Sequence, residues 1–167
     1  MVDPRRRLFL RGSLRDAAAP ELPARPRPPW ALQPERAFTE RCTRCGDCAR
    51  ACPRGLLHAG DGGFPEITFT RQGCNACGDC RGACPSGALS ALGEPFAWRV
   101  QVADHCLARR QVECRVCAEA CDARALRFRP APGGVWQLQI DPAACTGCGD
   151  CVAPCPVGAV SMGRPAA

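Results

Sequence analysis

Residues 145–156 read Cys-Thr-Gly-Cys-Gly-Asp-Cys-Val-Ala-Pro-Cys-Pro. Three cysteines recur at every third position, a fourth follows four residues later, and a proline comes directly after it. The chain repeats this pattern. Cys42, Cys45, Cys48 and Cys52 precede Pro53, and Cys74, Cys77, Cys80 and Cys84 precede Pro85. Cys106, Cys114, Cys117 and Cys121 form a divergent third run, so the run at Cys145, Cys148, Cys151 and Cys155 is the fourth. These runs use all 16 cysteines of the 167-residue chain.

Cysteine at this density signals either a disulfide framework or metal ligation, and spacing decides between them. Disulfides impose no three-residue rhythm. Structural zinc uses two separated ligand pairs, whereas three thiols at successive short gaps over-supply one end of such a site. The spacing C-x2-C-x2-C-x3-C-P is the ligand run of a bacterial-type [4Fe–4S] ferredoxin, in which the fourth cysteine ligates the other cluster of a pair. Three thiols in a tight loop turn toward three corners of a cube, and the fourth points away. Four runs therefore predict four [4Fe–4S] clusters. Cys42, Cys45, Cys48 and Cys84 are expected to hold one, and Cys74, Cys77, Cys80 and Cys52 the second. Cys106, Cys114, Cys117 and Cys155 are expected to hold the third, and Cys145, Cys148, Cys151 and Cys121 the fourth.

Successive runs are separated by 21, 21 and 23 residues, so the gaps themselves do not reveal which runs pair. Their contents do. After the first run, Leu56-Leu57 reads as a short helix, Gly60-Asp61-Gly62-Gly63 as a turn and Glu66 to Phe69 as a strand. After the third, Ala125 to Phe128, the turn Pro132-Gly133-Gly134 and a strand from Val135 to Ile140 repeat the order. The middle gap breaks at Gly93-Glu94-Pro95, with Ala88 to Ala91 closing one unit and Arg99 to Val102 opening the next. The expected architecture is α+β: two tandem two-cluster ferredoxin domains, 37–94 and 95–167, preceded over 1–36 by a basic, proline-rich N-terminal arm. A nested pairing, run one with four and two with three, is the alternative.

Gly46, Gly78 and Gly149 each follow the second cysteine, where freedom from a Cβ lets backbone amides approach the sulfurs. Pro53, Pro85 and Pro156 suit the first turn of a helix. Run three departs from this: its first gap is seven residues, with Arg115 at the glycine position and Asp122 at the proline position. Arg115 beside a cluster would raise its potential; the bland alternative is that it points to solvent. His58 and His105 read as surface or capping residues.

The formal charge of +6 counts cysteine as neutral. Four oxidised clusters, each about −2 with its thiolates, bring the holoprotein to about −2. The pI is therefore no argument for nucleic-acid binding. Residues 1–41 carry nine Arg against five acids, so a basic arm precedes an acidic body. Arg6 to Arg11 resembles the twin-arginine export consensus but lacks the apolar stretch an export signal needs, and the chain is expected to stay cytoplasmic. Arg6, Arg7, Leu8, Phe9 and Leu10 read instead as a partner-binding element on a proline-rich linker in which Trp30 and Leu32 tuck against the first domain. No apolar run is long enough for a membrane span. No nucleophile–base pair, phosphate loop or paired carboxylates suggest an enzyme.

The basic start from Arg5 to Gly12, Arg27-Pro28-Pro29-Trp30, Cys42-Thr43-Arg44-Cys45 and Gly62-Gly63-Phe64-Pro65 together resemble the NapF-type ferredoxins, accessory proteins of periplasmic nitrate reductase. Val112-Glu113-Cys114-Arg115 with Cys117 and Cys121, and Arg127-Phe128-Arg129-Pro130, extend the resemblance. It implies a cytoplasmic protein that binds the nitrate reductase catalytic subunit before export and assists its maturation. An electron-transfer subunit of a quinone-linked complex and a general soluble ferredoxin remain alternatives.

Overall fold

The computed structural model describes residues 26–90, 95–134 and 136–164. The arm residues Arg6 to Leu10 lie outside this range. Pro26 to Leu32 are packed. Pro29 is fully buried and Trp30 is 9% exposed. Arg27 lies over the rings of both Phe38 and Phe64, 5.5 Å from each centroid, and pairs with Glu35 at 2.8 Å. The proline-rich stretch therefore ends as an integral edge of the first half of the molecule. It leads into α1 (Glu35–Arg41), which starts after Pro34, carries Glu35 in its first turn and Arg41 in its last, and buries Phe38. Both charges complement the helix dipole.

Short helices α2 (Asp47–Arg50), α3 (Asp79–Gly82) and α4 (Val116–Glu119) each carry the third cysteine of a run, buried in every case. Strands β1 (Leu57–Ala59) and β2 (Pro65–Ile67) form an antiparallel hairpin in which Leu57 faces Ile67. Leu56-Leu57 is thus not the expected short helix. Two adjacent leucines satisfy either period, and the partner strand across the Asp61–Gly63 turn decides for extended backbone.

The second half repeats the plan. Strands β4 (Leu126–Pro130) and β5 (Trp136–Ile140) make the hairpin, with Phe128 opposite Leu138. Strand β3 (Arg99–Val102) pairs antiparallel with β6 (Val160–Gly163), tying the start of this half to its end. In the first half the same closure is reduced to a bridge between Ala31 and Leu89, where the Ser90 N–H donates to the Trp30 carbonyl at 2.8 Å.

Two cores result. One gathers Trp30, Phe38, Leu57, Ile67, Phe69 and Leu89 around Cys48 and Cys80, and also takes in Phe96 and Trp98. The other joins Val100, Val102, Leu126 and Val160 around Cys106, Cys117, Cys145 and Cys151. Val152 and Met162 pack against both.

The prolines after the fourth cysteines do not open helices. Each follows its cysteine into a tight turn, closed by the N–H of Gly55, Gly87 or Gly158 donating to the carbonyl of Cys52, Cys84 or Cys155. Proline presets the second position of such a turn, and the closing glycines have φ of 61°, 67° and 61°. Run three keeps this turn without either residue. The Arg124 N–H donates to the Cys121 carbonyl at 2.9 Å, and Arg124 itself takes φ 51°.

Candidate metal centres

In runs one, two and four the residues flanking the second cysteine make the ligand loop curl. In run one, Arg44 and Gly46 have φ of 59° and 77°; in run two, Ala76 and Gly78 have 54° and 88°; in run four, Gly147 and Gly149 both have 80°. Left-handed residues on either side of the second cysteine turn successive amide N–H groups to the concave side of the loop, a nest that suits a negatively charged body. One such amide reaches sulfur: Ala76 N–H donates to Cys74 Sγ at 3.4 Å. Beyond the fourth cysteines, Ala125 N–H donates to Cys121 Sγ and Ala159 N–H to Cys155 Sγ, both at 3.2 Å.

The fold brings thiols from two runs together each time. Cys42, Cys45, Cys48 and Cys84 line one cavity, and Cys52, Cys74, Cys77 and Cys80 line another. Cys121, Cys145, Cys148 and Cys151 line a third. Cys117 has Cys106, Cys114 and Cys155 as its neighbouring thiols. Among the described residues no three thiol, imidazole or carboxylate groups converge as a single bound ion requires. The thiols surround small cavities instead, as a body with four metal corners needs. Donor chemistry, N–H groups aimed at sulfur and burial all fit an iron–sulfur cubane.

Electrostatics agree. Burial pushes the Cys80 and Cys151 thiols up to about 12, and the Cys117 thiol up to about 11. Neighbouring thiols add to each shift. Burial likewise raises Cys48, Cys74 and Cys148. Cys84 is the exception. Burial acts to raise it, but N–H groups of Leu89, Ala88 and Ser86 together with the Ser86 hydroxyl outweigh this and hold it below the ordinary thiol value. Grouped thiols that resist ionisation become thiolates when metal displaces their protons.

The two halves meet at their ligand loops. Cys74 N–H donates to the Cys148 carbonyl at 2.7 Å, and Gly73 N–H donates to Asp150 Oδ1 at 2.9 Å. Arg54 donates to the Gly73 carbonyl at 2.6 Å and stands 3.6 Å from Asp150. Asp150 was not singled out by sequence reasoning. Its signal is the Cys-Gly-Asp-Cys tetrad, present in runs one, two and four, of which only the glycine was read. Arg115 follows Cys114 and lines the same groove as that cysteine. Its guanidinium stacks on Trp136, 4.3 Å from the ring centroid. His58 and His105 are exposed.

The family described as 4Fe-4S dicluster domain matches residues 41–88 and again residues 112–159. These two spans contain every cysteine except Cys106. The ferredoxin-type protein NapF of Haemophilus influenzae is 42% identical over 163 residues, covering 94% of this chain and 92% of that one. NapF of Escherichia coli K12 is 39% identical over 162 residues, covering 96% and 94%. A 32-residue stretch is 56% identical to the ferredoxin-type protein NapG of Haemophilus influenzae, 19% of this chain and 12% of that one.

Two dicluster domains with 16 cysteines in this spacing carry four [4Fe–4S] clusters. Anaerobic reconstitution should reach about 16 iron and about 16 sulfide per chain. A plateau near half that load, with the spectrum fully developed, would remove the divergent third run and its partner from the cluster set. The chain belongs to the NapF family of ferredoxin-type proteins.

Proposed function

We propose that this chain is an accessory electron carrier, not an enzyme, that acts in the cytoplasm on a molybdoenzyme. Its partner is the catalytic subunit of a periplasmic nitrate reductase before export, whose maturation it assists by electron or cluster transfer. The observation that carries this reading is similarity to NapF proteins over more than nine-tenths of both chains. Among the described residues no helix is long and apolar enough to cross a membrane, and the proposed contact is with a protein.

In this reading Cys42, Cys45, Cys48 and Cys84 hold one cluster and Cys52, Cys74, Cys77 and Cys80 the second. Cys106, Cys114, Cys117 and Cys155 hold the third, and Cys121, Cys145, Cys148 and Cys151 the fourth. The domains run 37–94 and 95–167, with Trp30, Phe96 and Trp98 from outside the first packed into its core. A bound [4Fe–4S] group supplies one-electron chemistry. The chain's own residues bury the thiols, donate N–H groups to sulfur and keep the Cys74 and Cys148 loops in contact. The arm is the recognition element: residues 5–15 combine five Arg with Leu8, Phe9, Leu10 and Leu14, a charge that suits an acidic partner surface.

Titration of the holoprotein with the unexported catalytic subunit, at two salt concentrations, tests this. Saturable binding is expected. Deletion of residues 1–15 should weaken it and flatten its salt dependence, because exposed charges are screened beyond about 8–10 Å, while iron content stays unchanged. No binding by the intact chain rejects the partner. Unchanged affinity and salt slope after deletion make the arm a passive tail.

A further inference from the structure

The seven-residue gap of run three builds something the other runs lack. Residues Ala108–Arg110 form a 3₁₀ turn, Gln111 leaves it at φ 63°, and Val112 N–H closes back on the Leu107 carbonyl at 2.9 Å. This turn packs against β5. Between the run-three loop and the β4–β5 hairpin lies a groove of about 280 Å³, lined by Val112, Cys114, Arg115, Phe128 and Trp136 among others. Val112 is 51% exposed and Trp136 45%, two of the three large apolar side chains exposed among the described residues. The third, Val157, is not part of the groove.

We propose that this groove is a docking surface for a segment of a partner protein that presents an apolar side chain next to a carboxylate. The apolar part follows from Val112, Phe128 and Trp136. Apolar groups left in water beside a concave surface mark an interaction site, and tryptophan and arginine are the residues that dominate binding energy at protein interfaces. The carboxylate follows from charge. The Arg115 Nε is enclosed and has no hydrogen-bond acceptor. Among the described residues Arg115 pairs with Glu113, 3.7 Å from Nη2 and 84% exposed. Arg109 and Arg110 are exposed on the adjoining 3₁₀ turn, whose Ala108 lines the groove, and Arg109 is paired with the fully exposed Asp104. A carboxylate entering the groove meets a preorganised guanidinium fork already stacked on Trp136. The same arginines disfavour the chain's own basic N-terminal segment as the occupant. Because Cys114 lines the groove, an occupant sits directly against a cluster ligand of the second domain, where electrons would be exchanged.

The inference deepens the partner reading above and rests on it. Its test uses the full holoprotein and the nitrate reductase catalytic subunit. Trp136→Ser and Val112→Asp should each lower affinity roughly thirtyfold, as loss of an interface anchor does, and Arg115→Gln roughly tenfold. Iron per chain should not change, since Trp136 and Val112 lie outside both cores. Undiminished affinity in all three variants overturns the groove and leaves the partner standing. If the intact chain does not bind the subunit, the partner reading falls and the groove is judged separately. A photo-crosslinking amino acid is then placed at position 136 of the full chain in cells. A single adduct, lost with Val112→Asp, whose cross-linked peptide carries an acidic residue beside an apolar one, upholds the groove. No adduct, or an adduct of twice the chain's mass from a second copy, overturns it.

Discussion

Iron withdrawn anaerobically by a chelator is expected to unfold the half built on β3 and β6 before the half built on Trp30 and Phe38. Both cores include cysteines, so cluster loss removes interior contacts from each and couples directly to folding. What remains differs. The first core keeps Trp30, Phe38, Phe69, Phe96 and Trp98, with Leu56, Leu57, Ile67 and Leu89. Fully burying one large apolar side chain stabilises by about 1.5–3 kcal/mol. The second core keeps Val100, Val102, Ala125, Leu126, Ala159 and Val160, with no aromatic ring, while four of its ten buried members are cysteines. Its hairpin strand β5 is largely exposed. The Asp141 and Ala103 amides, bonded to the Ala125 and Ala159 carbonyls, should therefore lose hydrogen-exchange protection when about half the iron has gone, with those of Ile67 and Thr68, bonded to the Pro26 and Leu56 carbonyls, still protected. Simultaneous loss, or loss in the opposite order, would show that the aromatic core contributes no independent stability.

Much of this plan is legible in the chain because ligand chemistry constrains it locally. The turns at Gly62-Gly63 and Gly133-Gly134 have the positive φ their glycines permit, and the strand expected from Val135 to Ile140 runs over Trp136–Ile140. Reading stops where a residue type serves two geometries. Proline after the fourth cysteine fits a helix start as well as a turn, and only the closing Gly55, Gly87 and Gly158 distinguish them. Long-range partners are less legible still. Arg27-Pro28-Pro29-Trp30 stands out as a motif, but nothing local says that Arg27 lies between Phe38 and Phe64 or that Arg81 lies over Trp30 at 5.0 Å. The wall made by the long gap of run three is likewise invisible until β5 packs on it.

Gly149 shows what the ligand loop hides. Sequence gives it one role, left-handed backbone next to Cys148. The structure adds another, because a Cβ built there would stand 2.2 Å from Phe69 Cδ1 and 2.5 Å from Cγ. Phe69 belongs to the first core, so Gly149 is where one half of the molecule inserts into the other. Gly73 is the reciprocal contact, its Cβ position 2.4 Å from the Asp150 nitrogen and 2.6 Å from the Cys148 carbonyl oxygen. Gly149→Ala should combine a left-handed backbone penalty of about 1–2 kcal/mol with an overpacking penalty of about 1–3 kcal/mol. Gly158→Ala separates the two terms. That glycine also has positive φ, 61°, but nothing lies within 4 Å of its Cβ position, and run three already carries Arg124 at the matching turn position. The readout is exchange of the Cys74 amide, whose acceptor is the Cys148 carbonyl. Gly149→Ala should speed it at least about thirtyfold, while Gly158→Ala, lying away from the junction, leaves it unchanged. Adding Phe69→Leu to Gly149→Ala should restore part of the protection, because the smaller side chain vacates the ring position the new methyl needs. Equal exchange in the two alanine variants would mean that the ligand loops are held together by Asp150 and Arg54 alone, with no contribution from the insertion of Phe69 over Gly149.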